Sequence, residues 1–288
     1  MSVSPGQTDS SVSFPELRDI VRAAARVELL PRFASVSAPA GSASCGGIGR
    51  RIKLDGSVVT DADSAMQERL QSELARRWPR YTFLGEEMTA LAQQDIIARA
   101  GDGMWCLDPL DGTTNFAAGL PFFGVSLALL SATGPVLGMV YDPLRDECFS
   151  ARTGAGAWLN DAPLQTDAAP AELRRCVAAV DLKRLPKPLA AALGSAPPYG
   201  SQRNFGAATL EWCWLAAGRF HLYLHGAQKL WDYAAGSLIA LEAGASAATL
   251  DGEPVFAFGL APRSVIAAVD AAALAKWKAW VGPHARGA

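Results

Sequence analysis

Residues 105–129 read WCLDPLDGTTNFAAGLPFFGVSLAL, and no other stretch restricts the fold as tightly. An apolar run suited to a buried strand passes directly into Asp108, Pro109, Leu110, Asp111, Gly112, Thr113 and Thr114, so a strand ends here with carboxylates at its exit. Asp-Pro and Asp-Gly are also ordinary turn formers. Two acids three positions apart, followed by Gly and two hydroxyls, favour a ligand site instead. Asp108 and Asp111 can face one concavity, Gly112 lets the backbone approach a ligand closely, and the following amides can receive an anion.

Two other segments repeat the theme. Upstream, 81–87 (YTFLGEE) is a strand pattern ending in Glu86 and Glu87; downstream, 230–236 (LWDYAAG) places Asp232 at the start of a helix pattern. Taken singly, a Glu pair is an ordinary solvated turn and Asp232 an ordinary helix N-cap. Taken together, converging carboxylates repel one another, have raised pKa values and destabilise the fold unless a cation joins them. Oxygen-only donors suit Mg²⁺ or Mn²⁺, whereas zinc recruits His or Cys. His221 and His225 read as part of a strand, where a four-residue separation spans about 13 Å, so they cannot chelate one ion together. His225, at the strand's end, is the one expected to face the site.

The 288 residues are 50% apolar and 19% charged, enough for a large core in one large domain or two closely packed ones. With 26 basic against 28 acidic residues there is no footprint for a nucleic acid polymer or an anionic membrane. Five cysteines, at least 28 positions apart, form neither a metal clip nor a disulfide framework, which fits a reducing compartment. The N-terminal residues lack a basic segment followed by an apolar run, and a cytoplasmic location is expected.

Ser13, Pro15 and Glu16 announce a helix carried by Leu17, Ile20, Val21 and Ala24 as far as Pro31. A Gly/Ser-rich stretch at 40–49 reads as a loop, and a second helix begins near Asp61–Asp63 and stops before Pro79. Strands are expected at 81–84, 104–107, 124–130 and 136–141, the last two joined by a turn, giving a meandering sheet. The second half alternates: strand 177–180, helix 207–217, strand 220–224, helix 233–243, strands near Ala247 and Val265, and a helix from Asp270.

Gly85-Glu86-Glu87, then Trp105 to Phe116, then Trp231-Asp232-Tyr233-Ala234-Ala235-Gly236 resemble, in order and separation, the signatures of the inositol monophosphatase family across nearly the whole chain. The resemblance implies an α/β (α+β) protein, a layered α-β-α-β-α sandwich of the inositol monophosphatase and fructose-1,6-bisphosphatase type. It has an N-terminal half, 1–158, bearing the metal site and a C-terminal half, 159–288, bearing Asp232 and a substrate loop. It further implies a homodimer that hydrolyses a small phosphorylated metabolite using two or three Mg²⁺ ions. By position, Glu86, Asp108, the Leu110 carbonyl, Asp111 and Asp232 resemble the metal ligands. Glu86 and Thr113 resemble the groups that align the attacking water, and Asp63 the acid that holds Thr113. Gly112 and Thr113 resemble the phosphate-binding amides, and Gly206, Ala207 and His225 fall at substrate-contact positions.

One departure bears on substrate. Seven positions before the Trp-Asp acid, inositol-preferring members carry an acidic residue for substrate hydroxyls, and this chain has His225. Rival readings are a 3′-phosphoadenosine or fructose-bisphosphate phosphatase of the same superfamily, an aspartyl-nucleophile phosphatase, or a phosphometabolite-binding protein without turnover. The two-residue gap between Asp108 and Asp111 counts against the aspartyl nucleophile.

Overall fold

The computed structural model describes residues 12–37, 49–52, 58–99 and 103–285. The expected loop at 40–49 lies outside them except for Gly49, as does Cys45. The chain begins with helix α1 (Phe14–Glu28), whose N-cap Ser13 accepts a hydrogen bond from the Glu16 amide. Pro31 ends nothing: it sits in the first turn of a further helix, α2 (Leu30–Ser37), where a missing N–H costs no hydrogen bond. A short antiparallel hairpin, β1 (Arg50–Ile52) and β2 (Val58–Thr60), leads into α3 (Asp61–Arg77).

The first sheet follows in β3 (Thr82–Gly85), β4 (Met104–Asp111), β5 (Gly124–Ser131), β6 (Gly134–Asp142), β7 (Glu147–Arg152), β8 (Gly156–Leu159) and β9 (Ala162–Leu164). Helix α4 (Ala90–Arg99) links β3 to β4, and the one-turn α5 (Thr113–Ala117) links β4 to β5. Spatial order equals chain order; β3 runs parallel to β4 and the rest is an antiparallel meander. This sheet reaches Leu164, past the expected division after residue 158.

The second sheet contains β10 (Val177–Asp181), β11 (Ser201–Arg203), β12 (Leu222–Gln228), β13 (Ser246–Ala248) and β14 (Arg263–Ala268), in the order β11-β10-β12-β14-β13. Between them run α6 (Lys187–Ser195), α7 (Ala208–Ala216) and α8 (Leu230–Glu242), and α9 (Ala271–Ala285) closes the fold.

Strand alternation sorts the side chains into layers. In the first sheet Trp105, Leu107, Leu127 and Met139 pack against α1 to α3, while Met104, Cys106, Ala128 and Val140 on the opposite face meet α7 and α8. Ala179, Tyr223, Val265 and Ala267 close the second side of that helical layer, and Val180, Leu224 and Ile266 face α6 and α9. The result is the expected α-β-α-β-α sandwich. Helices α7 and α8 are apolar nearly all round because they lie between two sheets. Cys106, Cys148, Cys176 and Cys213 are buried free thiols, and no helix among the described residues is long and apolar enough to cross a membrane.

Candidate active site

The site lies where the C-terminal ends of β3 and β4 face the start of α8. Parallel pairing sets Gly85 opposite Leu107, and the Glu86 amide continues the ladder by donating to the Leu107 carbonyl at 3.1 Å. Glu86 therefore follows its strand beside Asp108. The turn behind it is fixed by Gln93 Nε2, which donates to the carbonyls of Gly85 and Glu86, and by Gln67 Oε1, which accepts from the Glu87 amide.

Strand β4 does not stop at Leu107. It continues to Asp111 with a register shift between Asp108 and Asp111, because Pro109 has no N–H for the ladder. The bulge aims both acids toward one cleft. Asp108 Oδ1 accepts from the Leu110 amide at 3.1 Å, and Asp111 Oδ2 accepts from the Thr209 amide and hydroxyl at 2.6 and 2.7 Å. Gly112 then turns the chain with φ at +85°, and a Cβ there would lie 3.0 Å from both the Ala207 Cβ and the Phe122 carbonyl oxygen. Conformation and space both require glycine.

Thr113 opens α5, with its hydroxyl 2.9 Å from Asp63 Oδ1 and 2.9 Å from the Leu110 carbonyl oxygen. Asp63 comes from the first turn of α3, where Oδ2 accepts from the Thr60 amide and hydroxyl at 2.7 and 2.6 Å. The capping box that starts α3 thus also holds a site threonine fifty positions away. On the facing side, Asp232 Oδ2 accepts from the Lys229 amide at 2.8 Å, and the Trp231 carbonyl accepts from Ser126 of the first sheet.

These carboxyl groups perturb one another. Removal from water is the largest cause for each: it pushes Asp63 and Asp111 up to about 6 and Asp108 and Asp232 well above the usual carboxylate range. Neighbouring negative charge adds to this, Glu86 acting on all four and Asp232 on Asp108. The donors to Asp63 and Asp111 act in the opposite direction.

The cleft, about 180 Å³, is lined by Glu86, Asp108, Leu110, Asp111, Gly112, Thr113, Thr114, Gly206 and Asp232, together with Arg184, Lys229 and Trp231. Every residue expected to hold metal is present, with Leu110 among them. The donor set is oxygen, and its mutual repulsion is what a divalent cation would offset, so the residues fit Mg²⁺ in kind. Among the described residues, however, no three His, Cys, Asp or Glu groups already close on one point.

Two expected substrate contacts lie elsewhere. Ala207 is buried behind Gly112. His225 on β12 sits opposite Asp181 of β10; its Nε2 is 3.2 Å from Asp181 Oδ2, and its Nδ1 accepts from the Ala227 amide at 3.2 Å. Both ring nitrogens are engaged by protein. His221 faces another partner, accepting from the Val177 amide, so the two histidines do not share a ligand.

Sequence reasoning missed four contributors. Arg184 and Lys229 reach the cleft from turns without a recognisable pattern. Asn115 donates to the carbonyls of Phe122 and Phe205, and buried Glu211 accepts from the amides of Phe205 and Gly206, so the loop before α7 is clamped from both sides. A lone acid inside the apolar helix sequence TLEWCWLAA was the available signal for Glu211. Burial pushes its carboxyl up to about 7.

Comparison with known proteins bears on the fold and the family. Residues 42–282 match the inositol monophosphatase family. The Nus factor SuhB of Pasteurella multocida is 36% identical over 197 residues, covering 67% of this chain and 72% of that protein. An inositol-1-monophosphatase of Mesorhizobium japonicum is 34% identical over 206 residues, covering 70% and 75%. The crystal structure of the extragenic suppressor protein suhB from Bartonella henselae superposes with a TM-score of 0.77 at 28% identity, covering 93% of this chain and 98% of that one. The chain therefore belongs to the inositol monophosphatase family, in a superfamily of Mg²⁺-dependent phosphomonoesterases.

Proposed function

We propose that this cleft hydrolyses a small phosphate monoester, of the sugar-phosphate or inositol-phosphate kind, by direct attack of water on phosphorus with Mg²⁺ as cofactor. The observation that carries the reading is the convergence of Glu86, Asp108, Asp111 and Asp232 on a cleft that also contains the Asp63-held Thr113 hydroxyl. Glu86, Asp108, Asp111, Asp232 and the Leu110 carbonyl would hold two or three ions. Bound Mg²⁺ supplies positive charge that acidifies water and offsets the negative charge of phosphate oxygens.

The remaining work falls to the chain. With its proton held toward Asp63 or Leu110, the Thr113 oxygen keeps a lone pair for an attacking water, and Glu86 on the same wall takes part in aligning that water. The backbone at Gly112 and Thr113 offers amides to the phosphate, and Gly206 borders the alcohol portion. Asp111 is tied to α7 by Thr209, which fixes the first wall of the cleft against the helix behind the substrate loop.

The test is a phosphate-release screen over sugar, inositol and nucleotide monophosphates, with Mg²⁺ and then with chelator. Turnover that requires Mg²⁺ supports the reading. Binding by calorimetry with no release from any compound would replace it with a phosphometabolite-binding protein. The homodimer is part of the same proposal, and sedimentation at micromolar concentration checks it.

A further inference from the structure

Two cations on the far side of the cleft, Arg184 and Lys229, have no part in the phosphate chemistry proposed above. Arg184 follows β10, and its position is set twice: Nη1 donates to the Ala227 carbonyl at 3.4 Å, and a Cβ on Gly226 would collide with the Arg184 carbonyl. Only glycine lets the bulged end of β12 approach this turn so closely. Lys229 leaves the same bulge at the entrance to α8, with Nζ 5.7 Å from the Trp231 ring centroid. Both residues line the cleft, and no ion pair among the described residues includes either.

The acceptors nearest these two cations are committed to other partners, Asp181 and His225 behind the cleft and Asp232 in the proposed metal set. Asp181 is held by His225 and by the Lys183 amide, both nitrogens of His225 are in use, and Asp232 Oδ2 is held by the Lys229 amide. A neutral polyol needs acceptors for its hydroxyl protons as well as donors. An anion needs donors only, and a guanidinium beside an ammonium is a strong set of them.

We propose that Arg184 and Lys229 form an anion subsite, so that the preferred substrate is a phosphomonoester whose alcohol carries a second negative group, a phosphate or carboxylate. This deepens the phosphomonoesterase reading and rests on it. In the reaction, water oxygen bonds to phosphorus and the bond from phosphorus to the ester oxygen breaks. That oxygen keeps the electron pair and gains a proton, while the second anion is unchanged and leaves with the alcohol.

The experiment measures phosphate release with Mg²⁺ for matched pairs that differ by one anion. They are fructose 1,6-bisphosphate against fructose 1-phosphate, adenosine 3′,5′-bisphosphate against adenosine 3′-phosphate, and 3-phosphoglycerate against glycerol 1-phosphate. Wild type should prefer the member with the second anionic group in at least one pair by roughly 10–100-fold in kcat/KM, the worth of one charge-assisted hydrogen bond. The pair that responds identifies the group recognised. Arg184→Gln and Lys229→Met should each reduce that ratio mainly through KM, and Arg184→Lys should retain part of it. Equal kcat/KM within every pair, or a preference that survives both substitutions, overturns the subsite. If no compound is hydrolysed, the phosphomonoesterase reading fails, and calorimetric binding of the same bisphosphates decides the subsite alone. Weaker binding to Arg184→Gln supports it, and equal binding overturns it.

Discussion

The two walls of the cleft are built in different ways. On the first, Glu86, Asp108, Asp111 and Thr113 come from adjacent strand ends and the single turn that follows them, and are positioned by hydrogen bonds donated by Gln93, Leu110 and Thr209 and by the bond that Thr113 donates to Asp63. On the second, Arg184, Gly206, Lys229 and Asp232 come from three separate places around the other sheet: the β10–α6 and β11–α7 connections and the junction of β12 with the first turn of α8. The first wall is acidic; the second holds the cations Arg184 and Lys229, and its one acid, Asp232, faces the carboxyl groups of the first. Charge sign thus divides the labour: one wall suits divalent metal and phosphate, the other the group to which the phosphate is attached.

Substitutions on the first wall should act on the chemical step and its metal requirement. Asp111→Asn should lower kcat by at least about 10²–10³-fold, the cost of removing one preorganised electrostatic contact. It should also raise the Mg²⁺ concentration for half-activity; steady-state assays across a Mg²⁺ series check both. A comparable loss from Arg184→Gln, with the same Mg²⁺ shift, would erase the distinction between the walls.

The second prediction concerns pH. Asp63 and Asp111, both pushed up to about 6, bind more protons folded than unfolded between about pH 4 and 6. Stability without metal should therefore fall as pH rises through that window, and Asp108 and Asp232, raised further, should extend the fall above it. Asp63 alone accounts for up to about 3 kcal/mol. Thermal melts in chelator should show the fall, added Mg²⁺ should reduce the part due to Asp111, and Asp63→Asn should remove its own share of the slope.

Smaller effects refine the first wall. Thr113→Val, which deletes the hydroxyl held by Asp63, should cost about 10²-fold in kcat, with Thr113→Ser recovering most of it. Gly112→Ala should destabilise by about 1–2 kcal/mol from its left-handed backbone alone, read by denaturant unfolding.

The first wall was also the legible one. Its acids and Thr113 lie in two short stretches whose strand-then-acid pattern is local, and the Asp63 partnership entered through family resemblance. Other features depend on tertiary contacts that no local pattern encodes. β12 is displaced toward Gln228 relative to the expected 220–224, because the bulge that seats Arg184 keeps the strand paired with β14 as far as Arg263. β7, β8 and β9 went unread because their short, partly polar segments acquire strand character from the meander that precedes them. His225 seemed aimed at substrate by its place in the chain, but cross-strand register puts it on Asp181.

The central claim is that carboxylates from distant stretches gather divalent metal to split a phosphoester. Its most direct test is phosphate release by Asp108→Asn at saturating Mg²⁺, beside wild type, on whichever ester wild type turns over fastest. Near-complete loss of release in a variant that still folds is the predicted result. Release at the wild-type rate would contradict the account.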